Sequence, residues 1–126
     1  MKLRIKGNSL RLRLGPAEIA QLLAKGRIEE TIRFSAEQGA TLTYALELAE
    51  PPAGLSLRYD PCEVVVLLSR QAAREWSTGD QVTIAGKIDV GSGDLELLIE
   101  KDFACIDRAD RENEDTFPNP KAGAVC

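Results

Sequence analysis

The chain is predicted to be an α+β protein with a mostly antiparallel, strongly twisted or barrel-like sheet of about eight strands, two short helices and an irregular C-terminal tail. Three observations predict this. Apolar and polar residues alternate with period two in one run after another. Turn-forming residues separate those runs. Two short segments carry their apolar residues at helical spacing instead.

Leu3 and Ile5 alternate with Lys2, Arg4 and Lys6, and Leu10, Leu12 and Leu14 alternate with Arg11 and Arg13. Gly7-Asn8 between them supplies the positive φ of a two-residue hairpin turn. This hairpin puts five cations on one face and the aliphatic side chains on the other. Gly15-Pro16 ends the second strand, and Pro16 suits the first turn of a helix, where no N–H is needed. Ile19, Leu22 and Leu23 then predict a helix over about 16–25, with Gly26 as its stop.

Ile28, Ile32 and Phe34 alternate with Arg27, Glu29, Thr31 and Arg33 in a third strand, which places Glu30 on the apolar face. Glu37-Gln-Gly39 turns the chain into a fourth strand built on Leu42, Tyr44, Leu46 and Leu48. Pro51-Pro52-Ala53-Gly54 predicts a rigid loop, and Leu55, Leu57 and Tyr59 a short fifth strand ending at Asp60-Pro61. The run from Glu63 to Leu68 is apolar on both faces and predicts a central strand. Ser69 can cap a helix of about 70–76 that turns Ala72, Ala73 and Trp76 inward. Val82, Ile84, Ile88 and Val90 make a seventh strand, with a bend or bulge expected at Gly86. Gly91-Ser-Gly-Asp94 turns into the last strand, which carries Leu95, Leu97 and Ile99.

Residues 1–105 are expected to form one domain. Residues 106–126 form an acidic, Pro-containing tail, expected to dock on that domain through Phe117 and Asn119. No internal repeat is visible in the sequence. A chain of 126 residues with 44% hydrophobic residues can bury one core, and its longest apolar run is too short to span a membrane as a helix.

Composition excludes much chemistry. Histidine is absent, which removes the usual general base near neutral pH and the commonest metal ligand. No phosphate-binding Gly-rich loop is present, and Ser92 has no partner base. No catalytic residue is therefore assigned. The opening Met1-Lys-Leu-Arg-Ile-Lys6 lacks the apolar stretch of a secretory signal, so a cytoplasmic location with free thiols is expected.

The net charge of −4 conceals a basic start. Residues 1–27 carry Lys2, Arg4, Lys6, Arg11, Arg13, Lys25 and Arg27 against the single acid Glu18. The hairpin face of Lys2, Arg4, Lys6, Arg11 and Arg13 is a candidate site for phosphate, polyphosphate or a nucleotide. The plainer reading is that Glu96, Glu100, Asp102 or Glu47 on adjacent strands neutralises it. Few exposed aromatics and an acidic total argue against nucleic acid.

Cys105 and Cys126 bracket five carboxylates and form a second candidate site. With Cys62 or carboxylates they could hold zinc, although close Cys spacing is lacking. A Cys105–Cys126 disulfide would be worth about 3 kcal/mol by loop entropy. Ordinary free thiols are the plainer reading, and no cofactor is expected. Glu30 is the third candidate, either an acid of raised pKa or a carboxylate at the sheet rim paired with an arginine.

Three stretches carry a family resemblance: Met1-Lys-Leu-Arg-Ile-Lys-Gly-Asn-Ser-Leu-Arg-Leu-Arg-Leu14, Ile99-Glu-Lys-Asp-Phe-Ala-Cys105, and Asp115-Thr-Phe-Pro-Asn-Pro120 with the end at Cys126. They resemble a family of short uncharacterised bacterial proteins of this length. The resemblance brings no activity and no catalytic residue. It implies that the tail belongs to the protein proper. The reading that follows is a non-catalytic binding module, a homodimer through an open sheet edge or a binder of another protein, with no membrane contact.

Overall fold

A computed structural model describes residues 1–50 and 54–103. The expected loop at Pro51–Ala53 and the expected tail with Cys105, Phe117, Asn119 and Cys126 lie outside the described residues. Eight strands and two helices follow in chain order: β1 (Lys2–Ile5), β2 (Ser9–Leu14), α1 (Pro16–Lys25), β3 (Arg27–Arg33), β4 (Thr41–Ala49), β5 (Leu55–Asp60), β6 (Glu63–Ser69), α2 (Arg70–Thr78), β7 (Thr83–Asp89) and β8 (Asp94–Lys101).

Local chemistry sets the helix ends. The Gly15 N–H donates to the Glu18 carboxylate at 3.0 Å, and Pro16 occupies the first turn. Gly26 stops α1 at φ 81°, where an L side chain would be strained, and its N–H reaches the Leu22 carbonyl at 2.8 Å. The Ser69 hydroxyl accepts from the Ala72 N–H at 3.1 Å and starts α2.

The strands form two four-stranded sheets, one ordered β1-β2-β8-β7 and the other β3-β4-β6-β5. This corrects the expectation of a single or barrel-like sheet, while most of the strand pairing is antiparallel as expected. There is no closed barrel, and both sheets are mixed. All four hairpins are antiparallel, as their turns predict. The central pairs are parallel: Leu12 lies opposite Ile99 in one sheet and Leu46 opposite Val66 in the other. Parallel neighbours need long crossovers, and no local turn announces them.

The two sheet orders are the same order read through a pseudo-two-fold axis. Residues 2–49 run β-hairpin, helix, β-hairpin, and residues 55–101 repeat that sequence of elements. Each half gives one hairpin to each sheet. Under this exchange Met1 corresponds to Leu55, Leu12 to Val66, Leu14 to Leu68, Leu22 to Trp76 and Leu46 to Ile99, and all ten are buried. Irregular hydrogen bonds repeat as well. Thr43 N–H donates to the Cys62 carbonyl at 2.7 Å, and Glu96 N–H to that of Asn8 at 3.0 Å. Leu48 N–H donates to Gly26 at 2.8 Å, and Lys101 N–H to Val82 at 3.1 Å. The sequence shows no repeat because the halves share apolar positions rather than residue types.

One hydrophobic cluster joins the inner faces of both sheets to Leu22, Ala73 and Trp76 of the helices. The Trp76 indole N–H is satisfied by the Val82 carbonyl at 2.9 Å. β7 pairs with β8 without a break from Thr83 to Asp89, so the bulge expected at Gly86 is absent. Gly86 instead makes room for Leu55 of the other sheet. A methyl group at Gly86 would stand 2.7 Å from Leu55 Cδ2, well inside contact distance.

Candidate functional site

The five cations of the first hairpin lie on the outer face of the sheet that contains β1, β2, β8 and β7. Parallel pairing brings β8 carboxylates beside them. Arg11 Nε and Arg13 Nε approach the same Glu100 oxygen at 3.0 and 3.3 Å. The other Glu100 oxygen accepts from the Thr83 hydroxyl at 3.2 Å. Lys2 Nζ meets Asp102 at 2.8 Å. Arg4 and Lys6 are exposed and make no ion pair among the described residues. Lys6 borders an open depression of about 640 Å³ with Lys87, Asp94, Glu96 and the turn residues Gly7–Ser9. Two lysines face two carboxylates there, so the depression carries no charge preference for an anion.

The other sheet has a closed ring of charges on its outer face. Arg27 contacts Glu47 at 2.9 Å and Glu63 at 3.3 Å, and Arg58 reaches the same two acids at 3.6 and 3.9 Å. The Glu47 hydrogen bond raises the Arg27 pKa above its ordinary value. The ring lies over Ala45 and Val65, two buried residues that point away from the core. It therefore seals the outer side of the central strands.

The inner face of this second sheet continues beyond the core. Strand alternation and register place Glu30, Tyr44, Val64 and Tyr59 in one row across the sheet. Ile32 and Leu42 form the next row, and Phe34 follows on the same face. Ile32 is 48% exposed, Phe34 66% and Tyr59 68%, while Leu42, Tyr44 and Val64 are half-buried. These six side chains make a contiguous apolar surface at the hairpin tips. The periodicity of the sequence marks Ile32, Phe34, Leu42, Tyr44 and Tyr59 as inward-facing, while Val64 falls in a run that is apolar on both faces. It does not show that the opposite sheet ends before reaching them.

Glu30 borders that surface, and the arginine partner expected for it is replaced by two others. The Met1 ammonium lies 3.2 Å away and also bonds to Glu18. The Tyr44 hydroxyl donates to Glu30 at 3.3 Å. Burial raises the Tyr44 pKa, and the Glu30 charge adds to the effect, so the phenol stays protonated as a donor. Glu30 is itself about half exposed, which does not suit a buried general acid.

Cys62 sits at the β5–β6 turn with φ 76°, and its thiol donates to the Gly39 carbonyl at 3.3 Å. Among the described residues no group of three or more His, Cys, Asp or Glu could hold a metal. The expectations for Cys105, Cys126, Phe117 and Asn119 fall outside the described residues. Within that range no helix is long and apolar enough to cross a membrane.

Residues 1–121 match the sequence pattern of DUF7009, a family of unknown function. The chain belongs to that family. No curated protein and no solved structure matches it. The DUF7009 match runs from the basic hairpin through both halves and includes the FPNP stretch at Phe117–Pro120. This agrees with the resemblance seen in the sequence, and it assigns no activity.

Proposed function

We propose that this DUF7009 chain is a cytoplasmic, non-catalytic protein-interaction module. Its contact surface is the apolar extension of the β3-β4-β6-β5 sheet at Ile32, Phe34, Leu42, Tyr44, Val64 and Tyr59. The observation that carries this reading is the exposure of Ile32 and Phe34 at the β3 side and of Tyr59 on β5, with half-buried Leu42, Tyr44 and Val64 between them, on a face that is core elsewhere. Contiguous apolar surface of this kind marks a protein contact in soluble proteins. Its composition also suits one, because aromatic anchors dominate binding energy. The anion reading of the basic hairpin is weaker, since carboxylates already hold Lys2, Arg11 and Arg13.

A photo-crosslinking side chain at Phe34 or Tyr59 tests this in cells. It should give protein adducts, and the same probe at Lys87 on the far sheet should not. Phe34→Ser with Tyr59→Ser should weaken competition for those adducts and leave the urea midpoint nearly unchanged, within about 0.5 kcal/mol as for other surface changes. An absence of protein adducts at both positions would overturn the reading.

A further inference from the structure

We infer that a second copy of this chain adds across the edge of β3, which is unpaired among the described residues, about a two-fold axis at Thr31. This inference rests on the interaction-module reading and names a partner for its β3 side; Tyr59, three strands away on β5, stays outside this contact.

β3 is a seven-residue edge strand, and every residue from Glu29 to Arg33 is exposed. Phe34 N–H bonds to the Ala40 carbonyl and Leu48 N–H to that of Gly26. In this register the even-numbered residues of β3 exchange bonds with β4. The N–H and C=O groups of Glu29, Thr31 and Arg33 therefore point to the open edge. An antiparallel copy can pair with them only in registers that set odd residues against odd ones.

Charge and strand length select among those registers: an axis at Ile28 also sets Arg27 against Glu29, but it runs off β3 into α1 at Lys25. An axis at Thr31 sets each Glu29, an exposed acid that meets Arg27 of its own strand at 3.3 Å, opposite the other copy's Arg33, twice, with Thr31 opposite itself. Three residue pairs then exchange about six main-chain hydrogen bonds. An axis at Glu30 sets Arg27 against Arg33, and an axis at Glu29 sets that acid against itself. On the inner face, the Thr31 axis places each Phe34 opposite the other copy's Ile28. The same axis sets each Ile32 opposite the other copy's Glu30, so the two apolar extensions lie on one sheet face with these acids between them.

The other edges fit less well. Self-pairing of β1 opposes Lys2, Arg4 and Lys6 with one another. β5 runs into Pro61, which has no N–H, and its Arg58 is held by Glu47 and Glu63. β7 matches Lys87 with Asp89 only in a register that runs off the strand at Gly91, where φ is 90°.

Sedimentation velocity of the full chain over a hundredfold concentration range tests the inference. The wild type should show a concentration-dependent dimer. Glu29→Arg and Arg33→Glu should each raise the dimer dissociation constant roughly ten- to hundredfold, since like charges then face each other across the strands. The double variant Glu29→Arg/Arg33→Glu should restore the dimer. The two single variants, mixed, should form a heterodimer, because each supplies the charge that the other lacks. Unchanged circular dichroism of each variant separates this effect from misfolding. A monomeric wild type at every concentration, or a dimer indifferent to Glu29→Arg, would overturn the inference. If adducts to other proteins persist at Phe34 in that event, the module reading stands and only its partner changes.

Discussion

Gly86 shows how one missing methyl group can fix the distance between two sheets. The space a side chain would take there is filled by Leu55, 2.7 Å from where Cβ would stand. Leu55 is buried within the hydrophobic cluster. Gly86→Ala should therefore destabilise the protein by about 1–3 kcal/mol, the usual cost of overpacking. Urea denaturation checks this, and Leu55→Ala in the same chain should recover part of the loss. The sequence marks Gly86 as exceptional but assigns it to a bend, because its neighbour comes from a strand 31 positions earlier. Glu30 was legible in the same partial way. Alternation puts it on the apolar face, whereas its partners, the Met1 ammonium and the Tyr44 hydroxyl, depend on tertiary placement.

At the scale of elements, strands and helices were legible almost residue by residue. Period two, turn pairs and caps are local, and they survive packing unchanged. α2 runs on to Thr78, two residues beyond the expected end. Pairing between hairpins was not legible, since β2 and β8 meet across most of the chain. That pairing is what neutralises the basic hairpin. Glu100 serves Arg11, Arg13 and Thr83 at once and is only 17% exposed. Glu100→Gln should leave two half-buried guanidinium groups side by side without their shared anion. A loss of about 1–3 kcal/mol is expected, as for hydrogen bonds to charged groups. Added salt should shrink the loss by screening the two cations, and urea midpoints at low and high salt measure both effects.

At the scale of the whole molecule, neither half completes a sheet. Residues 1–50 contribute β1, β2, β3 and β4, but β2 needs β8 and β4 needs β6. A fragment of residues 1–50 should show no cooperative unfolding as a monomer. Mixed with residues 51–126, it should give a single transition and the emission of a buried tryptophan, since Trp76 packs against both halves of the core. Two independent weak transitions would contradict this architecture. The α+β class and the count of strands were legible in the sequence, and the contiguous surface at Phe34 and Tyr59 was not. All its residues but Val64 carry the same inward signature as the core, and only their exposure in the fold separates them.

The parallel pairing of β2 with β8 also has a consequence in time. The first hairpin leaves the ribosome well before β8, the strand that comes to flank it. At ordinary synthesis rates it waits several seconds with the β2 edge bare. Leu10, Leu12 and Leu14 would make that edge adhesive, while Arg11, Arg13 and the cations of β1 repel any identical nascent hairpin beside it. Charges that Glu100 and Asp102 quench in the finished protein thus act as gatekeepers during its birth, before those acids exist.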